Sequence, residues 1–88
     1  MPQRTAVIGS SVGLHARPAT LFVQAVVKTG LPVTIAKEGG SPVDARSVLT
    51  VMSLGAKGGD TVLLEAEGDG ADTHLADLAG LLETDLDA

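Results

Sequence analysis

Two rhythms of apolar and polar positions run along the chain. Thr5–Ile8 (TAVI) is short and rich in β-branched residues, which predicts a strand followed by a loop over Gly9–Gly13. From His15 the period lengthens. Ala19, Phe22, Val23 and Val26 fall at i, i+3, i+4 and i+7, one buried face of a helix. Pro18 suits its first turn, where the missing N–H has no intrahelical partner in any case. Gly30 suits its stop, and Pro32 discourages continuation. The stretch PVTIAKEGGSPVDA predicts a hairpin: Val33 and Ile35 point one way, Thr34 and Ala36 the other. Gly39-Gly40-Ser41 makes the turn and Val43 sits on a short return strand. A short helix follows in RSVLTVMSLG, with Ser47 as its cap and Gly55 at its end. TVLLEAEG is a strand with Val62, Leu64 and Ala66 on one face; Leu63 breaks the pattern by joining Glu65 on the other. Ala71, Leu75, Leu78 and Leu82 mark a last amphipathic helix, with Asp69 and Asp72 both placed to cap it.

The order β-α-β-β-α-β-α, with strands that each offer one apolar face, predicts an α+β fold: a sheet with helices on one face and solvent on the other. The 88 residues are expected to form one domain, 1–88. With no cysteine, disulfides and thiolate metal sites are excluded, so the core alone must stabilise the fold. No metal site or cofactor is expected. MPQRTAV carries no apolar run of the kind secretion needs, and no segment approaches the roughly 20 apolar residues of a membrane span, so a cytoplasmic chain is expected.

Charge is distributed unevenly. All six bases lie in residues 1–59 beside only two acids, leaving +4; residues 60–88 hold nine acids and no base. Such an acidic half argues against nucleic acid as a partner, since phosphate neutralisation needs clustered Lys and Arg. It leaves one part of the molecule relatively positive and attractive to anions.

The stretch GLHARPAT raises the sharpest chemical question. His15 falls at or next to the start of the first helix. The first helical N–H groups, those of Ala16 and Arg17, have no backbone partner and suit anionic oxygens. The positive helix start favours the neutral ring, which has the lone pair a nucleophile needs. The same donors stabilise a dianion once it is attached, and Arg17 adds a planar fork matched to phosphate oxygens. His15 is therefore a candidate phosphoryl acceptor. His74, in an acidic helix with no loop or arginine beside it, is expected to be a surface residue.

At GLHARPAT the sequence resembles the histidine-containing phosphocarrier proteins, HPr, of the bacterial phosphotransferase system. ARSVLTVMSLGAKGGD matches a second family block, in the right order and at the right separation. The hairpin KEGGSPVDA is one residue longer than in many members. The resemblance implies an open-faced β-sandwich, a four-stranded antiparallel sheet with three helices on one side. It implies phosphorylation of His15 at Nδ1 by Enzyme I, drawing on phosphoenolpyruvate, and transfer to Enzyme IIA domains of sugar permeases. Arg17 carries over as the phosphate-stabilising residue and Pro18 as part of the rigid entry to the site.

Ser47 matches the regulatory serine that a dedicated kinase phosphorylates in some members, although Thr50 and Leu49 depart from the pattern around it. Val51 and Leu54 are expected to face the core, which turns Val48, Leu49 and Met52 outward as an apolar stripe. The resemblance makes that stripe, with Thr20, a partner-docking surface, flanked by Arg17 and Arg46. A monomer is expected, because the open sheet face has no obvious apolar patch. Two other readings share these residues: a regulatory module acting through Ser47 on a transcription regulator, and the carrier of a nitrogen-linked or fructose-specific branch.

Overall fold

The computed structural model describes residues 2–10 and 13–84. Ser11 and Val12 of the predicted loop, and Asp85 and Asp87 of the acidic tail, lie outside the described residues. The elements are β1 (Gln3–Val7), α1 (Ala16–Thr29), β2 (Val33–Lys37), β3 (Val43–Asp44), α2 (Val48–Ser53), β4 (Thr61–Ala66) and α3 (Ala71–Glu83). They form one antiparallel sheet in the order β1-β4-β2-β3. β4 is thus a central strand, and its alternation explains why. Val62, Leu64 and Ala66 are buried while Thr61, Leu63 and Glu65 between them are half-buried. β3 is a two-residue edge strand, and Pro42, which has no N–H for a ladder, stands just before it.

The inward face of the sheet (Ala6, Val33, Ile35, Val62, Leu64, Ala66) shares one apolar cluster with all three helices. α1 contributes Ala19, Phe22, Val23 and Val26, α2 contributes Val51, and α3 contributes Ala71, Leu75, Leu78, Ala79 and Leu82. Phe22, the one aromatic residue of the chain, is fully buried. Its side chain is worth about 1.5–3 kcal/mol in burial. The layer architecture expected from the single apolar faces is the one observed.

Several boundaries and faces differ from expectation. β1 begins and ends earlier than TAVI. Ile8 leaves the ladder because its N–H donates to the Asp60 carbonyl (2.9 Å) and its own carbonyl accepts from Gly59 N–H (2.8 Å), in the turn before β4. Neither Asp69 nor Asp72 caps α3; the N-cap is Gly70, which has no side chain to offer. The outer sheet face is not free of apolar groups. Ala36 is buried beside its ladder partner Leu63, and Val7 is exposed on the same side.

The turn that begins at Ala56 braces the chain entering α1. Leu14 N–H donates to the Ala56 carbonyl at 3.0 Å. Gly13, at φ 79°, lies so close that a β-carbon would overlap the Ala56 carbonyl oxygen and reach 2.8 Å from the Lys57 α-carbon. Only glycine fits both the left-handed backbone and that gap. On the other side of the same loop, Gly9 N–H donates to the Leu82 carbonyl (2.9 Å), and Gly9 packs against the Glu83 backbone with no room for a side chain.

Candidate functional site

His15 is the N-cap of α1, with extended backbone (φ −80°, ψ −173°). Its carbonyl accepts the first intrahelical bond, from Ala19 N–H at 2.9 Å. Its ring makes no capping hydrogen bond, so the imidazole is not consumed by the helix it starts. The residue is exposed, as are Ala16 and Arg17. Pro18 has no N–H, so the open donors of the first turn are the amides of Ala16 and Arg17. Neither donates to a protein acceptor among the described residues. No acid stands in this first turn to compete with an arriving anion.

The loop geometry explains how the ring comes to be displayed. Leu14 is buried and tied to Ala56, which anchors the chain one residue before the histidine. Pro18 and Ala19 are buried immediately after it. His15, Ala16 and Arg17 are therefore a short exposed crest between two anchors. Thr20, one turn on, is half-buried, and its hydroxyl donates back to the Ala16 carbonyl at 2.6 Å. That bond leaves the Ala16 N–H untouched.

Beside His15 is a shallow recess of about 170 Å³, lined by Leu14, His15, Met52, Gly55, Ala56 and Lys57. Met52 belongs to α2, so the apolar face of that helix reaches the histidine. Leu49, one turn earlier on the same face, is 81% exposed. Val48 is a correction: it does not look outward with them but packs half-buried against the core. A six-residue helix is too short to keep its whole first turn clear of the body it leans on. Leu54 also packs on the core, as its spacing from Val51 suggested.

Ser47 is the N-cap of α2, as expected, and its hydroxyl accepts from Thr50 N–H over a long 3.4 Å. It is exposed. Arg46 is not the free flanking cation its position suggested. Its Nε and Nη2 donate to the two carboxylate oxygens of Asp44 at 3.1 and 3.2 Å. Those bonds, with the Arg46 backbone N–H on the same carboxylate, hold Asp44 below the usual carboxylate range and raise Arg46. Lys57 is the residue the sequence pattern missed. Nothing local marks a lysine forty-two positions after a histidine as its neighbour; only the pairing of the Ala56 turn with Leu14 brings them together. His74 is half-buried rather than fully exposed, in a groove with Lys28 and Asp77 between α1 and α3. Among the described residues there is no cluster of three or more His, Cys, Asp or Glu side chains suited to a metal ion, and no helix is long and apolar enough to cross a membrane.

An open antiparallel sheet backed by three helices, presenting an uncapped imidazole at a helix start, defines a class of small α+β proteins. Comparison with known proteins narrows it. Residues 2–84 match the family model described as the PTS HPr component phosphorylation site. The phosphocarrier protein HPr of Streptomyces coelicolor is 48% identical over 87 residues, 99% of this chain and 94% of that protein. The crystal structure of HPr-C-His from Thermoanaerobacter tengcongensis superposes with a TM-score of 0.89 at 38% identity, covering all of this chain and 98% of the other. That of a phosphocarrier protein HPr from Bacillus anthracis gives 0.85 at 33% identity, covering 92% and 95%. The chain belongs to the HPr family of phosphocarrier proteins of the phosphotransferase system.

Proposed function

We propose that this protein shuttles a phosphoryl group on His15, taking it from Enzyme I and giving it to Enzyme IIA domains of sugar permeases. The observation that carries the reading is the exposed, uncapped ring of His15 beside the open amides of Ala16 and Arg17. In the loading step the Nδ1 lone pair of neutral His15 attacks phosphorus in line. The nitrogen–phosphorus bond of the donor breaks, and its electron pair returns to the donor imidazole. No base is needed, because the attacking nitrogen carries no proton, and no cofactor is needed, because the donor is already activated. The amides of Ala16 and Arg17 and the Arg17 guanidinium receive the phosphoryl oxygens, where charge-assisted bonds are strongest. Unloading is the same step in reverse order of partners.

The recess beside His15, about 170 Å³, is smaller than the ~300–1,000 Å³ usual for small-molecule sites, which favours a carrier over an enzyme acting on a free substrate. Leu49 and Met52 form the apolar part of the docking surface, and Thr20 and Val48 are its half-buried margin. The protein acts as a single-domain monomer in the cytoplasm. Retention of an accessible His15 favours the shuttle over a module that only binds through Ser47.

Incubation with Enzyme I and labelled phosphoenolpyruvate tests the reading. An acid-labile, base-stable phosphate on the wild type, absent from His15→Ala, is expected, with phosphorus NMR reporting the Nδ1 linkage. A wild type that takes no label overturns it.

A further inference from the structure

Of the six cations of this protein, two are already spent. Arg46 is forked onto Asp44, and Lys37 Nζ faces the Asp60 carboxylate at 3.7 Å. Arg17 and Lys57 have no acidic partner among the described residues.

Lys57 is held in place by its backbone rather than by its charge. Its N–H donates to Asp60 Oδ2 at 2.9 Å, and its carbonyl accepts from Asp60 N–H at 2.9 Å. Asp60 thus closes the turn on both sides and gives its remaining charge to Lys37. The turn is in turn packed under Gly13, whose α-carbon leaves no space for a substituent between itself and the Ala56–Lys57 backbone. The root of the Lys57 side chain is therefore fixed relative to the segment that ends in His15, while the side chain itself is exposed. His15 and Lys57 line the same recess.

We propose that Lys57 is a second cation of the phosphoryl site, its ammonium group contacting an oxygen of the phosphoryl group on His15 from the recess, which Ala16 and Arg17 do not line. The inference rests on the reading of His15 as the phosphoryl acceptor. An N-linked phosphoryl group has three outward oxygens, each able to accept from more than one donor. A compact ammonium reaching from the recess adds to the donors at the start of α1, and it needs no fixed fork to do so. Its attraction is to the phosphoryl oxygens and so exists only while the ring is loaded. Lys57 therefore favours the loaded state without obstructing the free one.

The experiment compares the phosphorylated wild type, Lys57→Gln, Lys57→Arg and Lys28→Gln, the last removing an equal charge at the far end of α1. Phosphorus NMR follows the pH titration of the phosphoryl group on His15, its resonance being the one lost in His15→Asn. A unit charge about 4 Å away in water shifts such an equilibrium by about 0.7 pH unit, about fivefold. Lys57→Gln is expected to raise the midpoint by about that much, Lys57→Arg to restore it, and Lys28→Gln to leave it in place. An unshifted Lys57→Gln, or equal shifts in Lys57→Gln and Lys28→Gln, overturns the proposal. Loading is done with Enzyme I and, in parallel, with phosphoramidate, which phosphorylates histidine directly. Failure of Enzyme I alone defeats the carrier reading, while the phosphoramidate-loaded samples still measure what Lys57 does.

Discussion

His15 and Arg17 stand on an exposed crest whose backbone is set by buried Leu14 before it and buried Pro18 after it. A histidine three residues before a proline, with helical periodicity following, reads as a helix start without knowledge of the rest of the fold. Lys57 and Gly13 were not legible as neighbours, because their contact exists only across the packed turn. The Asp44–Arg46 pair shows the same limit in miniature. Two residues apart in an edge-strand exit, they meet only because Asp44 turns its carboxylate onto both the backbone and the guanidinium of Arg46. The pairing has a pH signature with a definite sign. A carboxyl held below its ordinary range in the folded state adds stability above its unfolded value, and that contribution is lost as pH falls through the lowered one. Arg46→Ala is accordingly expected to move the Asp44 carboxyl titration, followed by carbon-13 NMR, up toward the ordinary carboxylate range. An unmoved midpoint would assign the depression elsewhere. The pair is solvent-exposed, so the titration reports it more clearly than overall stability, to which such pairs contribute little.

At the scale of elements, all seven were readable, and their order was right. Periodicity identifies α1 and α3 because each buries one stripe, and it identifies β4 because the strand alternates. The ends were less legible. β1 stops where Ile8 exchanges bonds with a turn fifty residues away, and α3 starts on a glycine although two aspartates offer better capping chemistry. In both places a tertiary contact or a sharp loop outweighs the local preference. The α2 cap was read correctly, but the bond is long. Ser47→Ala is therefore expected to cost toward the lower end of the ~0.5–2 kcal/mol typical of cap removal. Urea unfolding of the two proteins checks it. A loss well above that range would mean that Ser47 supports more than α2. The same helix shows why Val48 was misplaced: over six residues, packing tilt decides exposure as much as angular position does.

At the scale of the molecule, the layered arrangement followed from single apolar faces, whereas the strand order did not. Nothing in the periodicity says that the last strand is inserted between the first two. Because β4 pairs with both β1 and β2, the first 55 residues contain the crest of His15 and Arg17 and the short β2–β3 pair but not the strand that joins β1 to β2. A fragment of residues 1–55 is expected to lack the four-stranded sheet and to show a largely unfolded spectrum by circular dichroism, and a native-like β spectrum would contradict the pairing argument. Residues 60–88, acid-rich in sequence, supply that strand and the helix α3 that covers it.

That insertion also fixes when, in the life of each molecule, the surroundings of His15 are complete. A ribosome delivers His15 early, yet the floor beneath it arrives some forty residues later, and the strand that secures the floor later still. Sheets closed by such distant partners assemble slowly compared with helical bundles. Newly made chains therefore pass through an interval in which the imidazole is already present but its surroundings are not.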